Sequence, residues 1–457
     1  MRTDGQNGNT TLDTASQATL PVSLVPTPTI DYRIHRKFTK ATVGAGIPTP
    51  VPIPPLPTPL LSGPRVLIWK QDPSVLEIGI RKAYLPRPVQ VGPRDGRVRT
   101  AGLPSVSPNV FGDFIETPNT DAFDTVHTFA VVRQTLDLYL RALSPSPVRW
   151  QWNSTTNTDP LDVYAHAGET MNAYYSRSQK VLKFFYFNRP GSNPPQRIFT
   201  CRSFDIVAHE CGHAILDGLK PNWILTSNAP QTGALHESFG DLTAIFLTLS
   251  QLDQVEAIIA QTKARLHDKT FLSDLAEQFG LALGRPNGLR NADNNLKLGQ
   301  VGTEVHDLSQ VFTGGIYDVL ADIFAIEYKL PKDPAAVLYE VGRYVCSLVL
   351  RGIQAAPASN ATFADVINAM LQVTVADGKP ATYRNSIRNQ FTLRGVVVSP
   401  TPLKKETEAS AEVRAVDHPS LIGTQTRNAC CGTMQSLEYN TEVNVDAELE
   451  ELQDSLS

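Results

Sequence analysis

The stretch FDIVAHECGHAILD, Phe204–Asp217, places two histidines and a glutamate within an otherwise apolar run. On a helix each residue turns the chain by about 100°, so His209 and His213 lie on one face and can hold a single ion. Neutral imidazole is a good zinc ligand, and Glu210 can act as a base on water without binding the metal. The stretch therefore predicts a helix that carries two zinc ligands and a general base.

The alternative interpretation is a helix that carries the His-Glu-x-x-His motif by chance on a solvated face. The flanking residues predict burial instead: Ile206, Val207, Ala208, Ala214, Ile215 and Leu216. A buried histidine or glutamate without a partner would cost several kcal/mol, which favours the metal interpretation. Cys211 faces away from the two histidines and is predicted to be a small core residue.

The third zinc ligand should come from another segment, because a catalytic zinc has three protein ligands and one open position. The segment LHESFGDL supplies Glu237, which we predict to be this ligand. Asp241, four residues on, shares its face and is expected to accept a hydrogen bond from a ligand imidazole. His236 is the competing candidate, but it points about 100° away from Glu237 and is not expected to touch the metal.

The composition predicts a globular protein of two or three compact units, with 457 residues of which 41% are hydrophobic. The net charge of −4 comes with no basic stripe, so nucleic acid is not expected as a partner. The N-terminus lacks the apolar core of a secretory signal, and no apolar run reaches membrane-spanning length. We therefore expect no membrane partner, and a protein that is cytoplasmic or exported by a route without such a signal. Five cysteines do not suggest a disulfide framework.

The chain divides into four segments by composition. Residues 1–64 are rich in Thr, Asn, Ser and Pro and form a predicted Pro-rich arm. Residues 65–203 combine short β-branched runs with a helical pattern at Asp121–Leu143, which predicts an N-terminal α/β domain. Residues 204–399 contain five long segments of helical period and form a predicted helical catalytic domain. Residues 400–457 lose this period and form a predicted acidic tail.

Strands are predicted in the second segment from short apolar runs. VLIWK at 66–70 and VLEIGI at 75–80 each read as a strand, and NAYYSRSQKVLKFFYF at Asn172–Phe187 reads as two strands around a polar turn. With the helices that follow, these runs predict the fold class α+β.

At the residues around His209 and Glu237 the chain resembles the thermolysin-like zinc metalloproteases, the gluzincins whose metal is held by HExxH and by a glutamate from an ExxxD segment. The resemblance covers roughly residues 121–398. It implies a thermolysin-like fold with the zinc site in the cleft between an N-terminal α/β domain and a mostly helical C-terminal domain. It implies a catalytic role for Glu210.

Further segments resemble the family's substrate-binding parts. NAYYSRSQKV resembles the strand that lies along the substrate, which implies that Asn172 and the main chain at Ala173 bind peptide backbone. GLRNAD implies Arg290 as a ligand of the substrate carbonyl. VHDLSQVFTGGIYDVL resembles the segment of the catalytic histidine, which implies that His306 stabilises the oxyanion. Two apolar residues are implied to line the pocket for the residue after the cut: Leu289 and Ile206.

Some positions depart from the family's pattern. Ile224 stands where the family has a tyrosine that assists the oxyanion, with Trp223 beside it. Calcium is a second candidate cofactor, because Asp205 matches one calcium ligand of the family. Thr248, however, stands where another calcium ligand, a glutamate, is expected, so calcium is not favoured.

The predicted function is that of a zinc-dependent endopeptidase that cleaves a peptide or protein substrate before an apolar residue. Two alternatives stay open. One is a catalytically retired zinc-binding scaffold or interaction protein, against which the intact Glu210 argues. The other is a zinc aminopeptidase, although no Gly-x-Met-Glu-Asn segment precedes HExxH. In the tail, a thiol of Cys430 or Cys431 could occupy the open zinc position and hold the enzyme silent, or both could be ordinary thiols.

Overall fold

The structure, a computed structural model, describes residues 63–76, 78–142, 148–225, 229–285 and 287–396. The predicted tail at 400–457, which contains Cys430 and Cys431, lies outside these residues, as does almost all of the predicted arm at 1–64. Within the described ranges the chain has a mixed α and β structure.

The strands are short and form small sheets. They are β1 (Arg65–Trp69), β2 (Ile80–Tyr84), β3 (Val98–Ala101), β4 (Leu161–Tyr164), β5 (Ala173–Ser176), β6 (Val181–Phe184), β7 (Tyr186–Asn188), β8 (Arg197–Phe199), β9 (Asp274–Leu275) and β10 (Arg290–Asn291). The largest described sheet has the order β3, β4, β6, β5. In it β4 is parallel to both neighbours, whereas β5 pairs antiparallel with β6 and forms one edge.

The strands predicted at 66–70 and at Asn172–Phe187 are confirmed as β1, β5 and β6. The strand predicted at 75–80 is wrong, because the pairing with β1 begins only at Ile80. Val75 and Ile78, two apolar residues of this run, are buried in the turn that precedes β2. Gly79 lies in this turn with φ of 61°, a conformation that glycine adopts without strain.

The helices predicted from apolar periodicity are confirmed, although α6 begins earlier than its periodic segment. The helices are α1 (Asp121–Ala142), α2 (Phe204–Leu219), α3 (Pro230–Leu249), α4 (Leu252–Thr262), α5 (Glu277–Ala282), α6 (Val305–Glu327), α7 (Pro334–Ala355), α8 (Phe363–Ala376) and α9 (Ala381–Leu393). Among the described residues, no single helix is long and apolar enough to cross a membrane. The helices α3 and α4 meet that test only as a pair, and the pair is bent by 93°.

Helix α2 lies inside the fold, where its apolar residues and also its acidic and histidine side chains are buried. It packs against α1, α3 and β5. All four elements contribute to one hydrophobic core, whose members run from Val66 to Val396. The side chain of Ser203 accepts a hydrogen bond from the backbone N–H of Ile206 and so begins the helix. Cys211 is buried in this core, as predicted.

Two glycines bring α2 and α3 close together. A Cβ placed on Gly212 would lie 3.2 Å from the Cα of Gly240 and 2.7 Å from the hydroxyl oxygen of Thr243. A Cβ placed on Gly240 would lie 2.6 Å from two ring atoms of His209. The absence of both side chains therefore lets the ring of His209 lie directly against the backbone of α3.

Candidate metal centre

The three predicted zinc ligands lie together where α2 crosses α3. The Nε2 atoms of His209 and His213 are 3.0 Å apart. The carboxylate oxygens of Glu237 lie 3.5 Å from Nε2 of His209 and 3.6 Å from Nε2 of His213. Ligands about 2.1 Å from one tetrahedral zinc ion are separated by about 3.4 Å, which is close to these distances.

Burial supports a cation at this point. Glu237 is 1% exposed, and neither of its carboxylate oxygens accepts a hydrogen bond from a described residue. The nearest imidazole nitrogens approach these oxygens at 3.2–3.6 Å without hydrogen-bond geometry. A buried carboxylate without a donor is costly, and a metal ion would satisfy it. Two imidazoles and a carboxylate are a donor set that suits zinc.

Asp241 and Arg290 hold the first histidine in place. Nδ1 of His209 lies 2.9 Å from Oδ1 of Asp241, and Arg290 donates to the same carboxylate from Nε at 2.9 Å and from Nη2 at 2.6 Å. Burial would lower the pKa of His209, but Asp241 and Glu237 outweigh it and raise this pKa to about 9. Burial would raise the pKa of Asp241, but Arg290 and His209 lower it to about 2. Asp241 therefore stays ionised and orients the ring.

The second histidine has an outer partner that the sequence analysis missed. Nδ1 of His213 lies 2.7 Å from Nδ1 of His236, and the two rings stack. If Nε2 of His213 faces a metal ion, its Nδ1–H must donate and His236 must accept. Burial lowers the pKa of His236 to about 4, which keeps the ring neutral and able to accept. His236 thus lies behind a ligand, and only the crossing of α2 and α3 shows it.

A pocket beside the metal ligands brings several predicted residues together. Its wall contains His209, Glu210, Ala173, Arg290 and two apolar residues that the resemblance implies, Leu289 and Ile206. Glu210 therefore lies in the wall of a pocket next to a predicted ligand, a position from which a base could act on water. The pocket wall is apolar over most of its remaining extent.

His306 lies in the first turn of α6, close to the ligand cluster. Its Nε2 is 3.2 Å from a carboxylate oxygen of Glu237, and its Nδ1 is 2.6 Å from Oε1 of Glu304. The other oxygen of Glu304 accepts a hydrogen bond from the backbone N–H of Asp307 at 2.7 Å, which caps the helix. Burial would lower the pKa of His306, but the two glutamates outweigh it and raise this pKa. The sequence analysis did not identify Glu304.

The structure places the other predicted residues away from the ligand cluster. Asn172 precedes β5, and its side chain accepts a hydrogen bond from the backbone N–H of Ala173 at 2.8 Å. Asn172 does not contribute to the described pocket wall. Trp223 and Ile224 are buried in the core.

Asp205 lies at the base of the pocket, within a group of buried acidic residues. Burial and the carboxyl group of Asp72 raise the pKa of Asp205 well above its usual value, and burial and Asp205 do the same for Glu277. Thr248 accepts a hydrogen bond from the side chain of Gln71. The described residues therefore place no further carboxylate at the Thr248 position of the calcium site that the resemblance implies.

Two other described groups of side chains have ligand atoms close enough for a metal: Asp124, His166 and Cys201, and His267, Asp293 and Asp318. In the first, Arg202 binds both carboxylate oxygens of Asp124. In the second, Arg394 pairs with Asp318 at 2.7 Å. A guanidinium already pairs with one carboxylate of each group, so neither group resembles the carboxylate of Glu237, which has no described donor.

Comparisons with known proteins do not identify a family. No protein-family model matches the chain. No curated protein matches it either. The function must therefore be inferred from the residues and the geometry of this chain.

Proposed function

We propose that this protein is a zinc-dependent endopeptidase of the thermolysin-like kind. The observation that carries the proposal is the buried carboxylate of Glu237, which accepts no described hydrogen bond and faces the Nε2 atoms of His209 and His213. Three such ligands leave one coordination position open, as catalytic zinc sites do. Glu210 in the adjacent pocket wall supplies the base that a purely structural site has no need of.

The positions of these residues assign each one a role in the proposed reaction. His209, His213 and Glu237 would hold the zinc ion, which would supply Lewis acidity to a carbonyl group and to water. Glu210 takes a proton from the attacking water and passes it to the leaving amine. Hydrolysis of a peptide bond needs both transfers, and one carboxylate in the pocket wall can perform them in turn.

His306 and Arg290 stabilise the negative charge that develops on the carbonyl oxygen. With Nδ1–H of His306 donated to Glu304, the protonated ring has an Nε2–H that faces the cluster. Arg290 also lines the pocket, and its Nε and Nη2 donate to Asp241. Fixed donors aimed at a developing oxyanion contribute to the rate because they need no reorganisation during the reaction.

A peptide is the substrate that fits the surroundings. The edge strand β5 has backbone groups on its outer side that can pair with an extended chain. The pocket beside Glu210, with Ile206 and Leu289 in its wall, would take an apolar side chain on the leaving-amine side of the cut.

The test combines metal analysis of the purified protein with a digest of a peptide library read by mass spectrometry. We expect about one zinc ion per chain and internal cleavage of peptides. The matched control is Glu210→Gln, which should keep the zinc and lose nearly all hydrolysis, because it removes the base and no ligand.

Each alternative function predicts a different outcome of this experiment. Zinc without any cleavage by the wild-type protein would support a retired scaffold. Removal of single N-terminal residues alone would support an aminopeptidase. Absence of zinc from protein prepared with zinc present would refute a metal function.

A further inference from the structure

The pocket beside Glu210 is small, and its size limits the side chain that it can accept. Its cavity volume is ≈ 20 Å³. An apolar cavity of about 150 Å³ holds a benzene molecule, whereas one water molecule needs about 10–15 Å³. The enclosed part of this open-sided pocket is therefore much smaller than a phenyl ring.

Phe279 of α5 is the largest apolar side chain in the pocket wall. It is 3% exposed and belongs to a small apolar cluster with Phe187, Ile198 and Leu289. The ring of Phe187 packs against it edge to face, with 5.2 Å between the ring centroids. Phe279 thus fills space that a smaller residue at this position would leave to a substrate side chain.

The backbone next to Phe279 is closely packed. A Cβ placed on the next residue, Gly280, would lie 2.3 Å from the carbonyl carbon of Gly288, so α5 lies in direct contact with this segment. The same segment is tied down by a hydrogen bond from the N–H of Leu289 to the carbonyl of Leu275, at 2.8 Å. These contacts restrain the backbone of α5, and the packing of Phe187 against Phe279 restrains the ring.

We propose that Phe279 determines the specificity of this enzyme by closing the end of the pocket. The residue after the cut is then one with a short apolar side chain, such as alanine or valine, and aromatic residues are excluded. This inference rests on the proposed endopeptidase function and narrows it, because an apolar pocket alone would also accept large side chains. Specificity of this kind arises from the steric cost of each extra group in a closed pocket.

The test measures kcat/KM for two matched peptides that differ only after the cut, one with alanine and one with phenylalanine. The wild-type protein should prefer alanine by about a hundredfold, and Phe279→Ala should reduce that preference by about tenfold or more. Phe279→Val is a milder second variant, which should give a smaller change in the same direction. The control is Leu281→Ala on the same helix, where the side chain is 43% exposed and away from the pocket wall. This control should leave the preference unchanged.

The possible failures can be told apart. A wild-type protein that cleaves neither peptide nor any member of a library would refute the endopeptidase function, and this proposal with it. A wild-type protein that cleaves before phenylalanine as readily as before alanine refutes the role of Phe279 alone. So does a folded Phe279→Val variant with the wild-type preference.

Discussion

Replacement of Gly240 by alanine tests the metal centre without removing any ligand. The new Cβ would lie 2.6 Å from Cε1 and Nδ1 of His209, and ordinary contact begins at 3.4 Å. A shift of about 3.4 − 2.6 = 0.8 Å between the ring and the new Cβ would restore ordinary contact. Zinc sites tolerate changes of only about 0.2 Å in ligand distances, so His209 could not keep its position in the cluster.

The expected loss in zinc affinity is about 10–100-fold, the range seen when an outer partner of a ligand is lost. This range corresponds to about 1.4–2.7 kcal/mol. Alanine otherwise favours a helix over glycine by about 1 kcal/mol, which offsets part of the steric cost to the fold. We therefore expect a folded variant that binds zinc weakly.

The assay is a competition between the protein and a chelator of known zinc affinity, with the Tm measured with and without zinc. The control is Gly299→Ala, where an added Cβ meets nothing within 4 Å. It should keep the wild-type zinc affinity. If a folded Gly240→Ala variant binds zinc as tightly as the wild-type protein, His209 is not a ligand and the proposed centre is wrong.

Two further predictions concern single residues of the site. Glu237→Ala should lower the zinc content of the purified protein, because it deletes a ligand; unchanged zinc would place the third ligand elsewhere, with His236 the next to test. The role proposed for His306 in the transition state predicts that His306→Ala lowers kcat by orders of magnitude with little change in KM. A normal kcat with only a lower Tm would instead show that His306 is structural.

The parts of the site that repeat at helical spacing could be predicted from the sequence. His209 and His213 are four residues apart, as are Glu237 and Asp241, and each pair lies on one helix. A periodic pattern fixes which residues of a helix share a face. The ligand set could therefore be proposed from α2 and α3 before their packing was known.

The contacts that depend on how helices cross could not be predicted in this way. His236 is adjacent to Glu237 in the sequence, so the two side chains point in different directions on α3. Helical spacing therefore argued against His236 as a ligand and predicted no other role for it. Its contact with His213 exists because Gly212 and Gly240 let the two helices approach closely. Helical spacing describes one element at a time and carries no information on such tertiary contacts.

The wrong strand at 75–80 has a related cause. Val75 and Ile78 are buried by the surrounding chain and not by pairing in a sheet. An apolar run indicates that its residues are buried. A strand also needs a second strand whose backbone groups pair with its own. Phe279 was missed for a similar reason, since its role depends on a pocket formed by segments distant in the sequence.

Glu304 serves two purposes with one carboxylate, since one oxygen begins α6 and the other holds His306. Natural selection on folding would preserve this residue even in a descendant that had lost its activity. His306 has no such second role, so this position could accept other residues once hydrolysis was no longer under selection. Of Glu304 and His306, which both lie at the start of α6, only His306 would therefore indicate by its presence whether a related protein is still an active enzyme.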